Sequence, residues 1–249
     1  MSSDTLGARG RIGIILPSTN TSMEAELSAM QPHGVSNHVG RMTIPNMPLT
    51  SDAEFQALVE ALAASQSAAI DSVMSCAPDH LVYGLSAETF YSGVAAGLEN
   101  TRAMARQAGV GVSAVSEAMV AALTEFGFRK IAVLTPYQPI GDARVKAFFE
   151  VSGFDVLALT GLKRPSAIGI GQTPRRDLTA ALIDLAKCKP DVIVQVGTNL
   201  PMARIARVAL DWIGVPVLSA NTVVYRDALR QIGVLDDAAF TAQWMPVTP

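Results

Sequence analysis

The chain has 249 residues, enough for one large domain or two of about 100–150 residues each. Hydrophobic residues make up 49% and charged residues 16%, which supplies a core and excludes a disordered chain. A net charge of −3 with no basic block argues against nucleic acid, and no apolar run reaches the ~18 residues of a membrane span.

The opening Met1-Ser2-Ser3-Asp4-Thr5 lacks the basic-then-apolar order of a secretory leader. Two cysteines in unlike surroundings do not form a disulfide framework, so a cytoplasmic location is expected. Three histidines and two cysteines show no metal-ligand spacing, and no metal is expected. The sequence admits a homo-oligomer as well as a monomer.

Arg11 to Leu16 reads as a strand closed by Pro17-Ser18-Thr19-Asn20, and Ser22 to Leu27 as a helix with acidic residues in its first turn. Asn37 to Ile44 is a second strand. Ser51, with Glu54 three residues on, opens a helix to Ser67. The run Asp71-Ser72-Val73-Met74-Ser75-Cys76 reads as a third strand stopped by Pro78. Glu88 to Gln107 is helical, Val110 to Ser113 a strand and Ser116 to Phe126 a helix.

From Lys130 the pattern restarts. Strands are predicted over 131–134, 154–159, 191–196 and 215–219, with helices over 142–151, 177–187, 201–212 and 222–232 and an irregular stretch from Gly161 to Thr173. Buried strands alternating with helices predict an α/β fold of parallel βαβ units. The repeat predicts two pseudo-symmetric lobes, each a short parallel sheet flanked by helices, with an active site in the cleft between them. The first lobe would take residues 1–113 and 215–249, the second 114–214; one doubly wound domain is the competing architecture.

Ligands bind at the C-terminal ends of strands in such sheets. That rule makes Cys76, at the end of the predicted third strand, the candidate nucleophile, activated by a following helix N-terminus. His80, four residues later, is its candidate base or proton donor. Buried free cysteines are more often inert, and a histidine at a helix start is often only a surface residue. In the second lobe the matching strand ends in Val196-Gly197-Thr198-Asn199. Ser18, Thr19, Asn20, Thr198, Asn199, Ser219 and Asn221 could offer hydrogen-bond donors, although each such residue alone is more often a turn or cap. Cys188 precedes a strand and is set aside.

Leu16-Pro17-Ser18-Thr19-Asn20-Thr21, Cys76, Thr135-Pro136-Tyr137 and Gly197-Thr198-Asn199-Leu200-Pro201 together resemble the maleate cis-trans isomerases and arylmalonate decarboxylases of the aspartate/glutamate racemase superfamily. The resemblance runs from Ile12 to about Ile232. It implies two pseudo-symmetric lobes, no cofactor and a small carboxylate substrate handled by cysteine thiols. Asn20 and Tyr137 match carboxylate-holding residues, and Cys76 the isomerase nucleophile. The chain departs from the pattern at Gly197, where a second cysteine is expected. After Gly161, Arg164-Pro165-Ser166 stand where a carboxylate-binding asparagine is expected.

The resemblance therefore implies an isomerase-like enzyme in which the Cys76 thiolate adds to an unsaturated mono- or dicarboxylate. A one-thiol lyase and a carboxylate-binding relative without activity are the alternatives. Glycine at 197 is expected to leave room in the cleft for a bulkier substrate or a water.

Overall fold

The computed structural model describes residues 6–86, 90 and 93–245, and within them eight parallel strands form two four-stranded sheets. The first contains β1 (Gly10–Pro17), β2 (Val35–Met42), β3 (His80–Tyr83) and β4 (Gly111–Ala114), in the order β2-β1-β3-β4. The second contains β5 (Lys130–Thr135), β6 (Asp155–Gly161), β7 (Val192–Gln195) and β8 (Val217–Ser219), in the order β6-β5-β7-β8. The two orders are the same, so the predicted pseudo-symmetric pair of sheets is the observed architecture.

The strands read as near-continuous apolar runs because both faces of each sheet are covered. Side chains alternate between faces with a period of two. Ile12, Ile14 and Leu16 of β1 therefore meet Ile131 and Val133 of β5 and Val192 and Val194 of β7 in one central core. Into the same core pack α1 (Met23–Met30), α4 (Val115–Glu125), α5 (Pro139–Val151), α9 (Ala220–Gln231) and α10 (Asp237–Trp244). Ile15 faces the opposite way, with Leu81, onto α2 (Asp52–Met74) and α3 (Val94–Ala108). Ala132, Leu134 and Ile193 face α7 (Arg175–Ala186) and α8 (Ala203–Ile213). No helix among the described residues is long and apolar enough to cross a membrane.

Several boundaries move. The helix opened by the Ser51–Glu54 capping box runs 23 residues, to Met74, and carries Ile70 and Val73 into the core. The predicted strand ending at Cys76 is thus the last turn of α2 and the loop after it; the true third strand is His80-Leu81-Val82-Tyr83. The helix expected from Glu88 is described from Val94, residues 87–89 and 91–92 lying outside the described residues. The irregular stretch after Gly161 contains a short helix, α6 (Ala167–Gly171).

The division at 214/215 is corrected at its strand, because β8 pairs with β7 and completes the second sheet. The following helix, α9, crosses to pack on β3, β4, α1 and α4. Its Arg226 is 4% exposed and donates four hydrogen bonds, two to Glu125 of α4 and two to Asp237 of α10. The bonds to Arg226 pull the Glu125 carboxyl down to about 2.

Replacing Arg226 with Met should cost about 2–4 kcal/mol at pH 7, because it removes charge-assisted bonds that tie three helices. Glu125 is depressed on folding, so its contribution is present above its unfolded value of 4.5 and fades as pH falls towards 2. Urea unfolding at pH 7 and pH 3 should accordingly show a smaller difference between wild type and Arg226→Met at the lower pH.

Candidate active site

The C-terminal ends of β1, β3, β5 and β7 converge on a cleft of about 780 Å³, its open mouth included. Apolar side chains make much of its wall, among them Ile44, Leu49, Leu58, Leu62, Leu85 and Ile170. Thr19, Asn20, Ser86, Tyr137, Thr198 and Asn199 are among its polar groups, with Ser51 and Gln138 beside them. Arg164 is the one charged residue among the described residues that line it.

Two polar pairs cross between the lobes at this level. Ser86, just past β3, shares a 2.9 Å hydrogen bond with the Tyr137 hydroxyl from the loop after β5. Asn20, from the loop after β1, donates through Nδ2 to Thr198 Oγ1 at 3.2 Å, and Thr198 in turn donates to the Gly84 carbonyl at 2.9 Å. Burial pushes the Tyr137 phenol well above its ordinary value, with the Ser86 bond opposing. Tyr137 therefore stays a neutral O–H.

Asn20 Oδ1 accepts from the amides of Ser22 and Met23 at the start of α1, which fixes the orientation of its side chain. The turn-residue role expected of such an asparagine is thus realised, and one Nδ2 proton remains for a ligand. Asn199 has no such surplus. Its Oδ1 accepts from Thr21 and Ser22, and its Nδ2 donates to the carbonyls of Thr19 and Ala167. Ser18 is absent from the described lining; its hydroxyl clasps the Ile44 backbone, donating to the carbonyl and accepting from the amide.

Arg164 joins the cleft because its amide donates to the Pro136 carbonyl and brings it beside Tyr137. Its Nη2 binds Asp177 at 3.0 Å, while its Nε–H is buried without an acceptor. Across the mouth, Leu49 N donates to Pro165 O and Ile168 N donates to Asn46 Oδ1, stitching the 44–51 segment to the second lobe.

Cys76 and His80 are not in the cleft. Cys76 is exposed in the turn between α2 and β3, at the N-terminal end of the sheet. His80 is buried as the first residue of β3, where its Nε2 meets Ser113 Oγ at 2.8 Å and Ser113 donates to Asp227. Burial lowers the His80 pKa, and the Asp227 charge opposes the shift. The proposed nucleophile and base therefore lie at the wrong end of their strand.

The two cysteines prove to occupy matching turns. Cys76-Ala77-Pro78-Asp79 precedes β3 and Cys188-Lys189-Pro190-Asp191 precedes β7, with φ of 49° at Ala77 and 51° at Lys189. Asp79 and Asp191 play the same part, each side chain accepting from the amide that opens the neighbouring β1 or β5 region.

With this site in view, the chain can be placed among known proteins. A family model described as arylmalonate decarboxylase matches residues 12–244. The chain belongs to the arylmalonate decarboxylase family. It is 29% identical to a maleate isomerase of Alcaligenes faecalis over 236 residues, covering 90% of this chain and 91% of that protein. It is 30% identical to the arylmalonate decarboxylase of Bordetella bronchiseptica over 152 residues, 58% of this chain and 61% of that one. The Nocardia farcinica maleate cis-trans isomerase, solved as a cysteine-to-serine mutant with a covalently bound succinylcysteine intermediate, superposes with a TM-score of 0.80 at 25% identity. That match covers 90% of this chain and 92% of that one.

In this member of the arylmalonate decarboxylase family, Gly84 is the first residue after β3, and Gly197 is the second after β7, the place Leu85 takes after β3. A Cβ at Gly84 would lie 2.5 Å from Met23 Sδ and 3.0 Å from the Ile15 carbonyl. Gly197 has φ of 99°, and a Cβ there would lie 2.7 Å from Pro136 Cδ. The expected vacancy at Gly197 is therefore corrected: the Pro136 ring occupies it. Ser86 and Arg164 complete the site; Ser86 escaped the sequence reading because β3 begins later than expected. Gly197→Ala should cost about 1–3 kcal/mol of stability, from a left-handed backbone and the contact with Pro136. Chemical denaturation that finds the variant as stable as wild type would contradict this geometry.

Proposed function

We propose that the cleft binds a small carboxylate bearing an apolar group, and that its chemistry is loss of CO2 from a malonate-type acid without a thiol adduct. The observation that carries this reading is the Ser86–Tyr137 hydroxyl pair set against an apolar wall with no cysteine among the described lining residues. Cis-trans isomerisation by addition requires a nucleophile on the cleft, whereas decarboxylation requires only stabilisation of developing charge.

When the C–CO2 bond breaks, its electron pair moves onto the carbon and retained carboxylate, giving an enediolate. Neutral O–H donors fixed at that carboxylate stabilise it. With Ser86 donating to Tyr137, the phenolic proton is directed at a ligand oxygen, and the second Asn20 Nδ2 proton adds a further donor. The apolar wall strips water from the departing carboxylate, which raises its energy relative to the transition state. Water then gives a proton to carbon, which restores the carboxylate and leaves hydroxide to depart to solvent. Arg164, its Nη2 paired with Asp177, has a buried Nε–H without an acceptor that can meet an anionic ligand.

Incubation with phenylmalonate should release CO2, and with maleate should give no fumarate. Alkylating Cys76 and Cys188 should leave turnover unchanged. Ser86→Ala and Tyr137→Phe should each lower kcat/KM by roughly 10²–10³-fold, the usual loss of one oxyanion donor. Maleate isomerisation abolished by alkylation would overturn the reading.

A second reading rests on the same lining. Among the described residues it holds no His, Cys, Asp, Glu or Lys to deliver a proton to carbon, which favours a carboxylate-binding protein without turnover. Tight binding of phenylmalonate with no CO2 released would decide for it.

A further inference from the structure

Glu26 of α1 is absent from the described lining of the cleft, yet it is bonded to the cleft wall through one intermediate. Its Oε1 accepts from the Ala203 amide at the start of α8 at 2.8 Å, so it spans the lobes. Its Oε2 accepts from Asn221 Nδ2 at 2.7 Å, and the same Nδ2 donates to the Thr198 carbonyl at 2.9 Å. Asn221 is 2% exposed, and its Oδ1 is buried without a partner.

Chemistry fixes which way the Asn221 amide faces. Turned over, its oxygen would stand against two acceptors, an ionised Glu26 and the Thr198 carbonyl. A protonated Glu26 removes one of those two conflicts, because its O–H needs an acceptor and the unpartnered Oδ1 can supply one. The Thr198 carbonyl then loses its side-chain donor. The neighbouring carbonyls of Val196 and Gly197 are held separately, by Gln195 Nε2 at 2.7 and 2.9 Å.

We propose that Glu26 is a positioning residue: its ionised carboxylate seats Thr198 on the cleft wall through Asn221, and protonation releases that seat and weakens ligand binding. Its effect on ligand rests on the carboxylate-binding reading above. Burial lifts the Glu26 carboxyl to about 7, against the opposing bonds from Asn221, Ala203 and Met202 and the charge of Arg204. The change therefore falls near neutral pH.

Several charged groups on the surrounding elements have their own partners. Glu24 pairs with Arg41, Arg207 lies over Trp244, and Arg226 holds Glu125 and Asp237. Asp227 accepts from Ser113, and His38 of β2 pairs with Ser36.

The coupling can be read first without ligand. In ¹⁵N-labelled protein, the Thr198 backbone amide and the Asn221 side-chain amide should shift together with a midpoint near 7. Neither should titrate there in Glu26→Gln. In Asn221→Ala, Thr198 should stay still although Glu26 is intact. Binding of phenylacetate, a carboxylate ionised across this range, should be roughly 3–10-fold weaker at pH 6 than at pH 8, about one hydrogen bond's worth. Glu26→Gln should flatten that dependence.

A Thr198 amide that stays silent in wild type, or a midpoint that persists in Glu26→Gln, would overturn the proposal. Failure of phenylacetate to bind at any pH would instead defeat the carboxylate-binding reading, with the two amide titrations still deciding the coupling.

Discussion

Two parallel sheets whose strand ends meet face to face bury backbone groups that have no ladder partner. A buried carbonyl or amide left unpaired costs about as much as a lost hydrogen bond. In this protein the demand is met largely by side-chain amides from the opposite lobe or the next element. Asn199 serves α1 and the Ala167 region together, Asn20 serves α1 and Thr198, and Gln195 and Asn221 hold the carbonyls of residues 196–198. An amide suits this work because it carries two donors and an acceptor in one rigid plane. Removing one such group would leave unpaired partners on both lobes at once.

That requirement also shapes the chemistry. Groups spent on holding the strand ends are unavailable to a ligand, and Asn199 is wholly spent. What remains is a small set of neutral donors, already oriented before a ligand arrives. Tyr137 cannot ionise in its buried setting, and the described lining offers no other group that titrates near neutrality. Preorganised neutral dipoles favour reactions that develop charge on oxygen. They do not favour reactions that require the protein to attack carbon.

Much of this was legible in the residues. The strands ending at Pro17 and Thr135 are apolar runs closed by proline, and that punctuation brought Asn20 and Tyr137 to the strand ends where the cleft lies. The third strand was not legible, because a short apolar run such as Val73-Met74 fits a helix as well as a strand. Only length separates the two, and α2 continues through that run for reasons of packing on Ile70 and Val73. The true strand opens with a buried histidine and spans four residues, too few to show alternation. A better signal lay in the repeat itself: Pro78-Asp79 and Pro190-Asp191 each precede a third strand. Aligning those dipeptides moves the strand end from Cys76 to Gly84 and brings Ser86 into view.

The same alignment explains why cysteine position misleads here. Cys76 and Cys188 match one another across the pseudo-twofold, but at the ends of the sheets where helices enter strands. The opposite ends carry Gly84, matched by Val196, and Leu85, matched by Gly197; the two glycines are packed too closely for a side chain, whereas Leu85 lines the cleft. Met23 and the Ile15 carbonyl close the first position, and Pro136 with a left-handed backbone closes the second. A side chain could not be added at either glycine by substitution alone, since neighbouring atoms would have to move first. The described lining of the cleft holds no thiol, and the polar pairs that cross between the lobes are left to do whatever chemistry the site performs.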